Sequence, residues 1–286
     1  MAKVAVITRT KDRPQFLKRA IVSIAKQTYR DYIHVIVNDG GDRESVDDIV
    51  ASLSDFQRDK TKVFHRAVSS NAPDTIFNES IDRVDSEYFA IHDDDDTWHP
   101  DFLKYTVEAL DGGSELGAVV ARANKVIEYM RNGTIVEKKR LPYMPNMQAI
   151  SLYRQCIDNQ FTPIASLFRR SAYVEVGKFD SSLPVVGDWE FGIRLLMKYD
   201  AGFINPGYAL ANYHHRNIGD DSFAKHDHRK YVTMIANKYL RSELREGKIG
   251  PGYIMSKLKY EDDKLKTIIK GLVPSAILSS IVHRKF

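Results

Sequence analysis

One stretch constrains this chain more than any other: Glu87-Tyr88-Phe89-Ala90-Ile91-His92-Asp93-Asp94-Asp95-Asp96-Thr97-Trp98-His99-Pro100. Tyr88 to Ile91 is a short apolar run of the kind that makes a buried strand. It gives way at once to four consecutive carboxylates, and Pro100 suits the first turn of a following helix. Adjacent aspartates repel one another, so stability does not explain them. In an open α/β sheet, ligands sit beyond the carboxyl ends of the strands, which is where these acids fall. Hard oxygen ligands suit Mg²⁺ or Mn²⁺, and such an ion usually takes one or two carboxylates together with the phosphates of a substrate. A solvated acidic turn is the competing reading. Acids placed after a buried strand and before Trp98 and Pro100 favour a metal–diphosphate site over that turn.

The chain has 286 residues, enough for one large α/β domain or two small ones, and is 43% hydrophobic and 28% charged, ordinary for a globular protein. Its single cysteine, Cys156, excludes a disulfide framework and fits a reducing compartment. The first residues read as a strand and not as a signal peptide, and no run approaches the ~20 apolar residues of a membrane span. A net charge of +4 is mild. It argues against nucleic acid as a partner while leaving anionic substrates or lipids open.

Strand and helix alternate through the first hundred residues. Val4 to Thr8 is apolar and β-branched, and Pro14 opens a helix carrying Phe16, Leu17, Ala20, Ile21, Ile24 and Ala25 on one face. Tyr32 to Val37 is a second strand, Asp42 to Leu53 a helix, Lys62 to His65 a short strand and Thr75 to Val84 a helix. This spacing predicts a parallel sheet with right-handed crossovers. No Gly-x-Gly-x-x-Gly or Gly-Lys-Ser/Thr loop is present, so neither a dinucleotide oxidoreductase nor a P-loop enzyme is supported.

Asp39 ends the second strand beside Gly40 and Gly41, which let backbone approach a ligand closely. A carboxylate there can accept the N3–H of a uracil or the N1–H and amino group of a guanine; a plain turn is the alternative. Further on, Leu116 to Ala121 reads as a strand, and Val126 to Met130 with Thr134 to Lys138 as a hairpin around Arg131-Asn132-Gly133. Residues 139–161 read as a lid or binding loop, followed by strand-like Ile164 to Phe168. Asp188 fits a helix N-cap, and it is equally placed to act as a general base toward a hydroxyl.

Together these pieces resemble family 2 glycosyltransferases with the GT-A fold, over nearly all of residues 3–222. The resemblance rests on Val4 to Pro14, Ser23 to Tyr29, Val37 to Gly41, the aspartate run, Asn78, Val176-Gly177-Lys178-Phe179-Asp180, and Gly187-Asp188-Trp189-Glu190-Phe191. It implies an α/β GT-A fold: a single, mostly parallel central sheet with helices on both faces, plus a C-terminal helical extension. The implied domains are 1–225, with a nucleotide-binding half 1–110 and an acceptor-binding half 111–225, and the extension 226–286. The implied roles place Asp39 on the nucleobase, Thr8, Arg9 and Thr10 around its pocket, and Asn78, Asp93 and Asp94 on the nucleotide sugar. Asp95 and His215 would hold Mn²⁺ or Mg²⁺, Asp188 would be the catalytic base, and Trp189, Glu190 and His214 would meet the sugar or acceptor. Lys11 stands where the family often has an aromatic, and Phe77 where it often has an arginine.

The implied activity is a metal-dependent, inverting transfer from a nucleoside-diphosphate sugar, with UDP-sugars favoured, to a hydroxyl of a saccharide or lipid-linked acceptor. Surface polysaccharide biosynthesis in the cytoplasm is the implied setting. A nucleotidyltransferase or a non-catalytic nucleotide-sugar- or glycan-binding relative is the alternative. From Lys264 a basic amphipathic pattern runs to the end, kinked by Pro274. Residues 264–286 are thus expected either to touch the inner face of the membrane peripherally or to pack, within the chain or in a homodimer.

Overall fold

Apolar β-branched runs interrupted by amphipathic helices build a seven-stranded sheet, seen in a computed structural model that describes residues 2–70, 73–216 and 227–256. Its first half is β1 (Ala2–Thr10), α1 (Pro14–Ala25), β2 (Tyr32–Asp39), α2 (Arg43–Ala51), α3 (Asp55–Asp59), β3 (Thr61–Arg66), α4 (Pro73–Asp82) and β4 (Ser86–Ile91). Strands β4, β1, β2 and β3 lie side by side and parallel, with Ile7 opposite Ile91 and Thr10 opposite Asn38. Val4 to Ile7 and Tyr88 to Ile91 are buried on both faces of the sheet, as continuous apolar strands of parallel sheets are.

The second half starts with β5 (Thr97–Trp98), α5 (Phe102–Gly112) and β6 (Leu116–Ala121). It goes on to β7 (Ala123–Arg131), β8 (Thr134–Pro142), α6 (Leu152–Gln155), β9 (Ser166–Arg169), α7 (Arg170–Glu175), α8 (Gly187–Leu196), β10 (Asp200–Ile204) and β11 (Ala211–Arg216). The main sheet runs β10-β6-β9-β4-β1-β2-β3 and is mostly parallel, with β9 antiparallel to both β4 and β6. A second sheet, β5-β11-β7-β8, joins it; the sequence shows only its hairpin. Strand β8 extends to Pro142, past the expected Lys138, and forms this sheet's free edge. Asp42, the expected first residue of α2, instead caps it through the Ser45 N–H, and the helix begins at Arg43.

Trp98 anchors the aspartate loop from behind. It stacks on Phe102 with ring centres 4.1 Å apart, donates Nε1–H to the Ile164 carbonyl at 2.6 Å, and donates its backbone N–H to Ser23 Oγ at 2.6 Å. The loop therefore leaves a strand fixed by the sheet and re-enters a fixed aromatic stack. The chain divides into two units, Met1–Tyr231 and Val232–Phe286. Helix α9 (His228–Glu246) crosses that division, and within the second unit Glu243 accepts the N–H groups of Gly252 and Tyr253 at 2.6 and 2.9 Å. No helix among the described residues is long and apolar enough to cross a membrane. The amphipathic pattern of 264–286 lies outside the described residues.

Candidate active site

The carboxyl ends of β1, β2 and β4 bring Thr10, Asp39 and the aspartate run to one sheet edge. Asp39 is fully buried and densely partnered. Its Oδ2 accepts Arg9 Nε and Nη2 at 3.1 and 3.0 Å and Ser69 Oγ at 3.0 Å, and Oδ1 accepts the Ser70 N–H at 2.8 Å. Arg66 Nε lies 3.4 Å from Oδ1. Gly40 has φ +74°, and a Cβ there would sit 2.6 Å from the backbone nitrogen of Ser69. Its smallness thus admits the chain's own Val68–Ser69 backbone, where a close approach of ligand is expected from the sequence. Thr10 Oγ1 donates to Asp94 Oδ2 at 2.8 Å.

The four aspartates have different surroundings. Asp94 is buried, with Arg13 Nη1 3.0 Å from its Oδ1, yet burial pushes its carboxyl up to about 6. Asp96 is buried and accepts the His214 N–H at 2.7 Å; burial, Asp95 and Asp93 raise it well above the usual range. Asp93 has no hydrogen-bond partner for its carboxyl among the described residues, and burial with Asp95 and Asp94 pushes it up to about 7. Asp95 Oδ2 is bound by Arg13 Nη2 at 2.5 Å and also by Arg216, while Arg19 donates to the Asp95 carbonyl.

Asp93 and Asp95 are the carboxylates of this loop that would hold a divalent ion, Asp95 once Arg13 and Arg216 release its Oδ2. The Asp93 carboxyl, unpartnered and crowded by like charges, is a hard oxygen donor in need of a cation. Among the described residues no three or more His, Cys, Asp or Glu converge as a ready-made cage. Ions of this type usually complete their shell with water and substrate phosphate, so two carboxylates suffice.

His214 and His215 project to opposite faces of β11, as adjacent strand residues must. The sequence reading put His214 on the sugar or acceptor, but its ring is buried and both nitrogens are engaged. Nδ1 pairs with Glu128 Oε1 at 2.5 Å and Nε2 with Thr97 Oγ1 at 2.9 Å. His215 shares its face with Tyr213, the two rings 6.4 Å apart.

Several expected contacts are occupied by the protein itself. Thr8 is fully buried and its Oγ1 lies 2.9 Å from His34 Nε2, so it lines the interior and not a base pocket. Asn78, expected on the nucleotide, instead clamps the 179–181 segment. Its Nδ2 donates to the Phe179 carbonyl at 2.9 Å and Ser181 Oγ at 3.2 Å, and its Oδ1 accepts Tyr173 Oη–H at 2.5 Å and the Phe179 N–H at 3.2 Å. Glu190 is fully buried against Arg194 one turn later, with Nε 2.9 Å from Oε2. Trp189 is buried and donates its indole N–H to the Gln155 carbonyl. Both residues expected at the sugar or acceptor are thus held by partners within the chain.

Asp188 lies in the first turn of α8, not at its N-cap; Val186 holds that place with φ 60°. Its carboxyl is half-buried, accepts Asn159 Nδ2–H at 2.7 Å, and is raised by burial against the Trp189 N–H and Asn159. Beside it, a Cβ on Gly187 would stand 1.6 Å from Asp74 Oδ2. Buried Asp74 is raised well above the usual range by burial, Asp188, Asp180 and Glu190. A base whose carboxylate is destabilised by its surroundings takes up a proton more readily.

Sequence reasoning missed Asp74, Asn159, Arg19, Glu128 and the role of Arg216. Two signals were present. Arg13, Phe16 and Arg19 recur at three-residue steps from the cap of α1 into its first turns, and Glu128 continues the alternation of buried Val126. The others are brought in only by tertiary folding.

Comparison with known proteins bears on the family and the fold. Residues 5–177 match the family described as Glycosyl transferase family 2. The succinoglycan biosynthesis protein ExoW of Rhizobium meliloti is 34% identical over 106 residues, covering 36% of this chain and 32% of ExoW. The S. aureus TarS 1–349 structure in complex with UDP-GlcNAc superposes with TM-score 0.66 at 17% identity, over 82% of this chain and 64% of that one. The mannosyltransferase PcManGT from Pyrobaculum calidifontis, in complex with GDP-Man and Mn²⁺, gives TM-score 0.62 at 16% identity over 90% and 69%. These two likenesses establish the GT-A fold. The chain spans about a third of the length of several curated relatives it matches.

Proposed function

Since the chain belongs to glycosyl transferase family 2, we propose that it moves a sugar from a nucleoside-diphosphate sugar, UDP-sugars foremost, to a hydroxyl of a saccharide or lipid-linked acceptor with inversion. Surface polysaccharide biosynthesis in the cytoplasm is the proposed setting. ExoW's name supports the polysaccharide setting, and a single cysteine, Cys156, suits a reducing compartment. The observation that carries the reading is the convergence of Asp39 and Asp93 to Asp95 on the carboxyl ends of neighbouring parallel strands.

In this reading Asp39 meets the nucleobase, with Arg9 and Ser69 fixing the orientation of its carboxylate. Thr10 and Arg13 hold Asp94, which steadies the loop beneath the ribose and diphosphate. A Mn²⁺ or Mg²⁺ ion held by Asp93 and Asp95, with His215 as a further ligand, would supply counter-charge to the leaving diphosphate. Asp188 accepts the proton of the acceptor hydroxyl as its oxygen attacks the anomeric carbon from the face opposite the nucleotide. Bond-making and departure in one displacement invert the anomeric centre.

TarS and PcManGT are solved with donors of different base, so the test spans both. Calorimetric titration of the full chain with UDP and GDP, with and without Mn²⁺, should show nucleotide binding strengthened by the ion. Asp95→Ala should remove that strengthening and abolish transfer. No binding of either nucleotide under any condition would overturn the reading.

A further inference from the structure

Phe16, half-buried on α1, is surrounded by cations. The guanidinium carbons of Arg216, Arg13 and Arg19 lie 4.1, 4.9 and 5.7 Å from its ring centre. Each lies within the range at which a ring face attracts a cation. Three like charges gathered on one ring repel unless anions separate them. Two carboxylates do so: Asp95 takes Arg13 and Arg216, and Glu128 takes Arg19 Nη1 at 2.6 Å and Arg216 Nη1 at 3.0 Å.

The two counter-ions are unequal. Glu128 is buried, with only 3% of its side chain exposed, and also pairs with His214, so it belongs permanently to the framework. Asp95 lies at the sheet edge with 20% of its side chain exposed. Arg13 and Arg19 keep 35% and 22% of their side chains exposed, while Arg216, at 10%, is largely covered beneath Asp95 and Glu128. Planar guanidinium forks match phosphate oxygens in pairs and shed water more easily than ammonium groups.

We propose that Arg13, Arg19 and Arg216, ordered by Phe16 and by Glu128, form a diphosphate-binding site that works without a metal ion, with Asp95 holding the cations in place until the diphosphate arrives. The proposal rests on the nucleotide-sugar reading and adds to it a cation set supplied by the chain itself. Glu128 is a positioning residue: it aims Arg19 and Arg216 and touches no substrate. Salt should weaken the metal-free interaction, because part of the attraction is screened charge.

The test is calorimetric titration of the full chain with inorganic pyrophosphate and with UDP in EDTA, and again in Mn²⁺. The wild type should bind both in EDTA. Arg216→Gln should weaken pyrophosphate binding in EDTA at least tenfold, Arg216→Lys should weaken it less, and Glu128→Gln should weaken it while Glu128→Asp restores part of the loss. Should Arg216→Gln fail to fold by thermal melt, Arg19→Gln and Phe16→Leu decide the matter by the same criterion. Wild type that binds UDP in Mn²⁺ but neither ligand in EDTA overturns the proposal and leaves the nucleotide-sugar reading intact. Arginine variants that bind pyrophosphate as tightly as wild type also overturn it. Failure to bind UDP or GDP even in Mn²⁺ overturns both.

Discussion

Arg9 donates twice to the same oxygen of Asp39, through Nε at 3.1 Å and Nη2 at 3.0 Å. That oxygen also takes the Ser69 hydroxyl, so before any ligand enters the carboxylate has most of its accepting capacity committed. What remains is on Oδ1, which holds the Ser70 N–H at 2.8 Å. If Asp39 meets the base as proposed, one offering a single N–H, as uracil does, would suit this better than one offering two.

Asp39→Asn should therefore act on both affinity and stability. It leaves Arg9 without its anion and swaps an acceptor for a donor among groups that donate. Losing hydrogen bonds to a charged partner costs roughly 1.5–3 kcal/mol, enough for at least a tenfold weaker UDP dissociation constant and a lower melting temperature. Titration and thermal unfolding measure the two. Unchanged affinity would remove Asp39 from base recognition.

Asp188→Asn isolates catalysis from folding. Asp188 is not the N-cap, and asparagine keeps its size and one accepting oxygen for Asn159. The melting temperature should stay near that of wild type and UDP binding should be unaffected. Transfer to a true acceptor should fall by ~10²–10⁴, the usual worth of a general base. Wild-type turnover in this variant would sink the assignment.

Asn78→Ala should be a stability variant. One amide makes four hydrogen bonds that tie α4 to the 179–181 segment and to Tyr173. Leaving buried partners unsatisfied costs ~1–3 kcal/mol per group. The melting temperature should drop by several degrees while UDP affinity in the folded protein is retained. A selective loss of UDP affinity at unchanged stability would restore the nucleotide role that the sequence implied.

The contrast between Asn78 and the aspartate run shows what the sequence could convey. Periodicity made β1, α1, β2 and β4 legible, because burial on two faces or one stripe leaves a mark in neighbouring residues. The acids after β4 were legible because their position relative to a buried strand is itself sequential. The partners that hold Asn78 and His214, Phe179 and Glu128, lie far away in the chain, so no local pattern announces them. The pairing of β11 with β7 was invisible for the same reason. Glu190 is the instructive miss: Arg194, four residues on, was there to be read as its partner.

Two buried histidines should make the fold acid-sensitive. Burial, with His92 nearby, lowers His34 to about 3, and burial lowers His92 to about 4. Unfolded histidine binds a proton below its ordinary value of about 6.5 while the folded one does not, so stability falls as pH drops from there toward the folded value. Each such histidine contributes a slope of ~1.4 kcal/mol per pH unit in that window. The raised aspartates Asp93 and Asp94 act with the opposite sign, so the contribution is read as a difference. His34→Gln should be less stable at pH 7 yet lose stability less steeply between pH 6 and 4, measured by denaturant unfolding. An unchanged slope would show that His34 is not the source.

Among the described residues, strand β8 leaves one side of its backbone unpaired at the edge of the second sheet. An open row of amide and carbonyl groups invites another strand to add on, and a flat apolar edge is how soluble domains begin to aggregate. Here Lys138, Lys139 and Arg140 stand in succession along the strand, all exposed, and the ladder with β7 slips register at Ile127 and Glu128. Like charges on two approaching edges would face each other, and the irregular register offers no straight template. The edge that gives this sheet its reach is thus guarded against its own copies, and the chain should stay dispersed at concentrations where an uncharged hairpin would begin to fibrillate.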